Sequence, residues 1–90
     1  MEREISSQYP LQVMIRDRTG TLFEGAVEAL SSENDSGPFD ILGMHINFVS
    51  IIHSLLTLHF PGGSSQKLSF ETGVLALQDN RVEVYIGIIK

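Results

Sequence analysis

The side chains with the widest chemical reach in this 90-residue sequence are three histidines, His45, His53 and His59. Imidazole binds metals and moves protons near neutral pH. His53 and His59 lie roughly 20 Å apart if the chain between them is one extended strand. They could share a metal only if a turn at Ser54 folded them together, so each reads as an ordinary surface or edge histidine. His45 follows Gly43-Met44 and precedes an apolar run, which puts it at a strand entrance, where structural hydrogen bonding is the plain reading. Asp40 and His45 could pair as acid and base, as could many other groups, and no Ser-His-Asp spacing can be assigned. The chain has no cysteine, which excludes disulfides, Cys-based zinc sites and thiol catalysis.

Two loops need weighing beside the histidines. Gly62-Gly63-Ser64-Ser65 superficially looks like a phosphate cradle, but the spacing to Lys67 is wrong for a Walker motif and the flanks read as strands. A hairpin loop is the expectation. Glu33-Asn34-Asp35-Ser36-Gly37 concentrates oxygen atoms, yet it lacks the distant bidentate Glu of a calcium loop, and Asp40 alone cannot complete a shell. It reads as a solvated loop. No catalytic, cofactor-binding or metal-binding residues are therefore assigned, and enzyme activity has no positive support.

Six Lys and Arg stand against eleven Asp and Glu, a formal charge of −5. Phosphate contacts need clustered basic side chains, and the few here are scattered, so nucleic-acid binding is not expected. An anionic lipid surface would repel the chain on average. The opening Met-Glu-Arg-Glu-Ile-Ser-Ser has no signal-peptide h-region. The best apolar run, Ile46 to Leu58, is broken by Asn47, Ser50, His53, Ser54 and Thr57, so no membrane span is expected. The chain reads as soluble and cytoplasmic.

The elements that must position these groups follow a period of two. Leu11, Val13 and Ile15 alternate with Gln12, Met14 and Arg16, as in a half-buried strand. Val82, Val84, Ile86 and Ile88 alternate with Arg81, Glu83 and Tyr85. Leu56, Leu58 and Phe60 form a further apolar face that Leu68 and Phe70 can answer across Pro61-Gly62-Gly63-Ser64-Ser65. Asp79-Asn80 suits a two-residue hairpin, because Asn tolerates positive φ. Further breaks fall at Arg18-Thr19-Gly20, at Gly25 and at Asn34-Asp35-Ser36-Gly37-Pro38. His45 to Leu56 is either a strand buried on both faces or a short helix, and its β-branched residues favour the strand. Short strands with frequent turn signals predict an all-β fold, a sandwich or a barrel. Residues 1–10 read as a polar N-terminal extension and residues 11–90 as one domain; 42% hydrophobic content supports a modest core.

Three stretches in register carry a resemblance. Leu11-Gln12-Val13-Met14-Ile15, followed by Gly20-Thr21-Leu22-Phe23-Glu24-Gly25-Ala26-Val27, is one. Gly37-Pro38-Phe39-Asp40-Ile41-Leu42-Gly43-Met44-His45-Ile46-Asn47-Phe48 is the second. Thr72-Gly73-Val74-Leu75-Ala76-Leu77-Gln78-Asp79-Asn80-Arg81-Val82-Glu83-Val84 is the third. Together they resemble the N-terminal β-sandwich domain of the ε subunit of F-type ATP synthase, from about Leu11 to Ile86. Four features depart from the family pattern. Asp40 stands where the family has Gly, Gly43-Met44 replaces Pro-Gly, and Asn47 replaces a proline. The family's Lys-Pro-Gly turn has no clear counterpart near His53-Ser54.

The resemblance implies a compact two-sheet β-sandwich of short, mostly antiparallel strands. It would be a non-catalytic rotor subunit at the cytoplasmic face of an energy-transducing membrane, peripheral within the F1 sector. It would dock on the γ subunit and the polar loops of the c-ring, coupling ion translocation to ATP synthesis or hydrolysis. By position, Asp35, Ser36, Gly37, Pro38 and Phe39 would form the loop facing the c-ring, with Met44, His45 and Ile46 adjoining. The dense run Phe48, Val49, Ile51 and Ile52 offers a γ-facing apolar patch, or is wholly core. Family members continue into a two-helix hairpin after the sandwich, and this sequence ends at Lys90, so no nucleotide and no cofactor is expected. The rival reading is a free-standing β-sandwich module for a peptide or sugar, with Tyr85 or Tyr9 as an aromatic platform.

Overall fold

Period-two alternation becomes seven strands in a computed structural model that describes residues 10–42 and 47–89. They are β1 (Leu11–Asp17), β2 (Gly20–Val27), β3 (Ala29–Asn34), β4 (Gly37–Leu42), β5 (Phe48–His59), β6 (Ser65–Gln78) and β7 (Arg81–Ile89). They hydrogen-bond in the order β2-β1-β7-β6-β5-β3-β4. Every pairing is antiparallel except that of β1 with β7. The segment that could have been strand or helix is strand from Phe48 onward, and at Ser54 it continues without a turn, opposite a bulge in β6. Tyr9, Met44, His45 and Ile46 lie outside the described residues.

The two layers of the expected sandwich are two halves of one folded sheet. The first half of β5 (residues 48–53) pairs with the second half of β6, which pairs with β7. The second half of β5 (residues 54–59) pairs with the first half of β6 on one side and with β3 on the other. A bulge separates the halves. His53 opposes Thr72 and Ser54 opposes Phe70, which leaves Glu71 unopposed, and Ser54 takes a positive φ of 75°. An extra residue increases local twist and bends the strand.

One core lies between the halves. Leu11, Val13 and Ile15 enter it from β1, and Val82, Val84 and Ile86 from β7. Ile52, Leu56 and Leu58 come from β5, Phe70, Leu75 and Leu77 from β6, and Leu30 and Ile41 from β3 and β4. Phe23 and Phe60 close one margin with ring centroids 5.9 Å apart, and Phe39 and Phe48 close another at 6.1 Å. Gly73 sits where strands crowd: a Cβ there would approach the Tyr85 carbonyl oxygen to 3.0 Å. That close approach explains a glycine inside a strand.

Turn chemistry follows the residues. Asp79 and Asn80 have φ of 53° and 62°, as a primed two-residue hairpin requires. The β5–β6 loop binds itself, with the Phe60 N–H donating to the Ser64 carbonyl and the Gly63 N–H to the Phe60 carbonyl. At the β1–β2 turn, Asp17 Oδ1 accepts from Thr19 Oγ1 at 2.6 Å and from the Thr19 N–H at 2.8 Å. Those bonds hold the Asp17 carboxyl below its ordinary range. Gly25 departs from expectation. It pairs with Val13 inside β2, and the Phe23 ring covers the space its missing side chain leaves.

Core and surface positions should separate in stability. Phe70→Ala should cost about 3–5 kcal/mol in urea unfolding, because Phe70 is fully buried. Val49→Ala should stay within about 0.5 kcal/mol. Equal losses at the two positions would contradict this core.

Candidate interaction face

Residues on one strand face recur every second position, so alternation decides which side chains of β5 point outward. Over residues 48–52, β5 sends Phe48, Ser50 and Ile52 inward and Val49 and Ile51 outward. Val49 is 70% exposed and Ile51 55%, whereas Ile52 is fully buried. Phe48 is half-buried against Phe39. The apolar run expected to supply a patch therefore splits. Val49 and Ile51 lie on the surface, while Ile52 and the inward-turned Phe48 serve the core.

Register extends the outer patch across neighbouring strands. Val49 opposes Ala76 and Ile51 opposes Val74. Val74 opposes Tyr85 and Ala76 opposes Glu83. Glu83 and Tyr85 lie beside Met14 and Arg16 of β1. Val74 is 45% exposed and Tyr85 49%. The result is an apolar surface of Val49, Ile51, Val74, Ala76 and Tyr85, edged by Arg16 and Glu83. Contiguous exposed apolar area with a polar rim marks a contact surface. Sequence reasoning did not join Val74 and Ala76 to this patch. The available signal was apolar residues in the polar phase of an alternating strand.

The expected c-ring loop is a tight turn rather than a five-residue loop. Asp35 and Ser36 form its tip, and Gly37, Pro38 and Phe39 already belong to β4. Asn34 Oδ1 accepts from the Ser36 N–H at 2.9 Å, and Asp35 Oδ1 is 3.0 Å from His53 Nε2. Phe39 turns inward against Phe48, whereas Asp35, Ser36 and Pro38 are exposed.

One constellation looks catalytic at first sight. Ser31 Oγ donates to Asp40 Oδ1 at 2.6 Å and lies 2.8 Å from His59 Nε2. The hydroxyl has one proton, and it goes to the carboxylate. The imidazole must then donate its own N–H to the hydroxyl. A nucleophilic serine needs the reverse, an imidazole nitrogen that accepts the proton. Among the described residues no group of three or more His, Asp or Glu side chains could hold a metal. Ser31 should consequently resist a serine-directed fluorophosphonate at neutral pH, read by intact mass. Labelling that vanishes in Ser31→Ala would contradict this geometry.

No family model matches the chain, and no curated protein matches its sequence. Solved structures do match its fold. A chain of the Euglena gracilis mitochondrial ATP synthase, from a structure of OSCP, F1 and c-ring, superposes with a TM-score of 0.80 at 15% identity, over 87% of this chain. A chain of the Tetrahymena thermophila mitochondrial ATP synthase, from a structure of the central stalk and c-ring, gives 0.73 at 11% identity, over 89%. The matches span 51% and 65% of those two chains. This chain therefore shares its β fold with part of each of two chains from mitochondrial ATP synthase structures.

Proposed function

We propose that this chain is a non-catalytic rotor domain of an ATP synthase central stalk, peripheral to the membrane as part of that complex. The observation that carries the reading is the exposed apolar face of Val49, Ile51, Val74 and Tyr85. A rotor part must pass torque through a stiff body to a neighbour, and a closely packed sandwich is stiff. The fold shared with ATP synthase chains and the ε-like motifs make the γ subunit the expected neighbour on that face. The Asp35-Ser36 turn is the proposed contact for the polar loops of the c-ring; Met44, His45 and Ile46 enter this proposal by sequence position alone. In this role the chain couples ion translocation to ATP synthesis or hydrolysis without binding nucleotide itself.

Calorimetric titration of the chain into its cognate γ subunit, with size exclusion, should give a saturable one-to-one complex. Val49→Asp or Ile51→Asp should keep the fold and weaken binding tenfold or more, about 1.4 kcal/mol or more. A folded chain that ignores a folded γ would sink the rotor reading and favour a free-standing module for a peptide or sugar.

A further inference from the structure

The two edges of the sheet differ in how they are protected. At one end β4 carries Pro38 and Asp40 within six residues. Proline and charge are the usual means of blocking an edge against another strand. At the other end β2 has eight residues, Gly20-Thr21-Leu22-Phe23-Glu24-Gly25-Ala26-Val27, with no proline and one charge. Among the described residues β2 pairs with β1 alone.

Hydrogen-bond phase identifies the free groups on that edge. The Gln12 N–H donates to the Asn80 carbonyl, at the start of β7. The N–H and C=O of one strand residue point the same way, so Gln12 and Met14 face β7, while Leu11, Val13 and Ile15 face β2. Their partners are Val27, Gly25 and Phe23. Glu24 and Ala26 therefore direct their backbone N–H and C=O away from the sheet.

We infer that the β2 edge accepts an extended segment of a partner protein, adding an eighth strand that bonds Glu24 and Ala26 and sets a basic side chain opposite Glu24. Charge selects this occupant over a second copy of the chain. Twofold pairing about the middle of β2 would bring two Glu24 carboxylates together and join two bodies of charge −5 each. Like charges across a strand pair are unfavourable, and opposite charges favourable. The partner strand should also be apolar at alternate positions, because Phe23 on the inward side is only half covered. This inference stands apart from the rotor reading, which uses the Val49 and Ile51 face.

The test is a nuclear magnetic resonance titration of the whole chain with a capped heptapeptide alternating valine with lysine and threonine. Saturable shifts should centre on β2, and exchange of the Glu24 and Ala26 amide protons should slow severalfold. Ala26→Pro removes an outward N–H while leaving the ladder to β1 intact, and should abolish the effect. Glu24→Lys should weaken this peptide tenfold and restore affinity for a version carrying glutamate in place of lysine. That charge swap decides the matter should the proline variant not fold. Absence of shifts at β2 at millimolar peptide would overturn the inference. So would shifts confined to Val49 and Ile51, unchanged binding by a folded Ala26→Pro chain, or β2 self-association without peptide.

Discussion

One unopposed residue, Glu71, governs which side chains β6, the longest strand, hides and which it shows. Strand faces alternate strictly, so one added residue exchanges inside and outside for everything beyond it. Phe70 is buried at an even position, and Gly73, Leu75 and Leu77 are buried at odd ones. Without that shift, β6 could serve only one half of the folded sheet with its apolar side chains. With it, a single strand fills the core on both sides of a bend. The positive φ of Ser54 on the facing strand belongs to the same bend. Non-glycine residues adopt that conformation at a cost of about 1–3 kcal/mol, sustained by the packing around them.

The same phase relation creates the outer face. Once Leu75 and Leu77 are committed inward, Val74 and Ala76 must face out, opposite Ile51 and Val49. Tyr85 joins them because Val84 and Ile86 fill the core from β7. A soluble strand would ordinarily carry polar residues at these five positions. Their apolar character is unused by the core and supports a contact surface. The polar groups on the other half satisfy one another, as Ser31 does with Asp40 and His59.

Much of the fold was legible in the sequence. Alternation in Leu11–Ile15 and Val82–Ile86 predicted buried faces, and the hairpins at Asp79-Asn80 and Pro61–Ser65 followed from residues that turn cheaply. Gly25 misled because a glycine signals a break unless a neighbouring ring covers it, and the reach of Phe23 is a matter of tertiary packing. The patch was only half legible. Val49, Ile51 and Ile52 are chemically alike, and only register separates the two that face water from the one that does not. Register is set by pairing between distant segments, which local pattern does not encode. Likewise, nothing in the spacing of Ser31, Asp40 and His59 announces that they meet.

Since the chain contains no cysteine, single thiols can report directly on the outer apolar face. The decisive measurement is the alkylation rate of Ile51→Cys and Ile52→Cys, each free and with a saturating γ subunit. The account predicts fast labelling at position 51 in the free chain, slowed at least tenfold by γ, and slow labelling at position 52 throughout. Equal rates at the two positions would contradict the fold's phase. A position 51 thiol that reacts as fast within a demonstrated complex as outside it would contradict docking through this face.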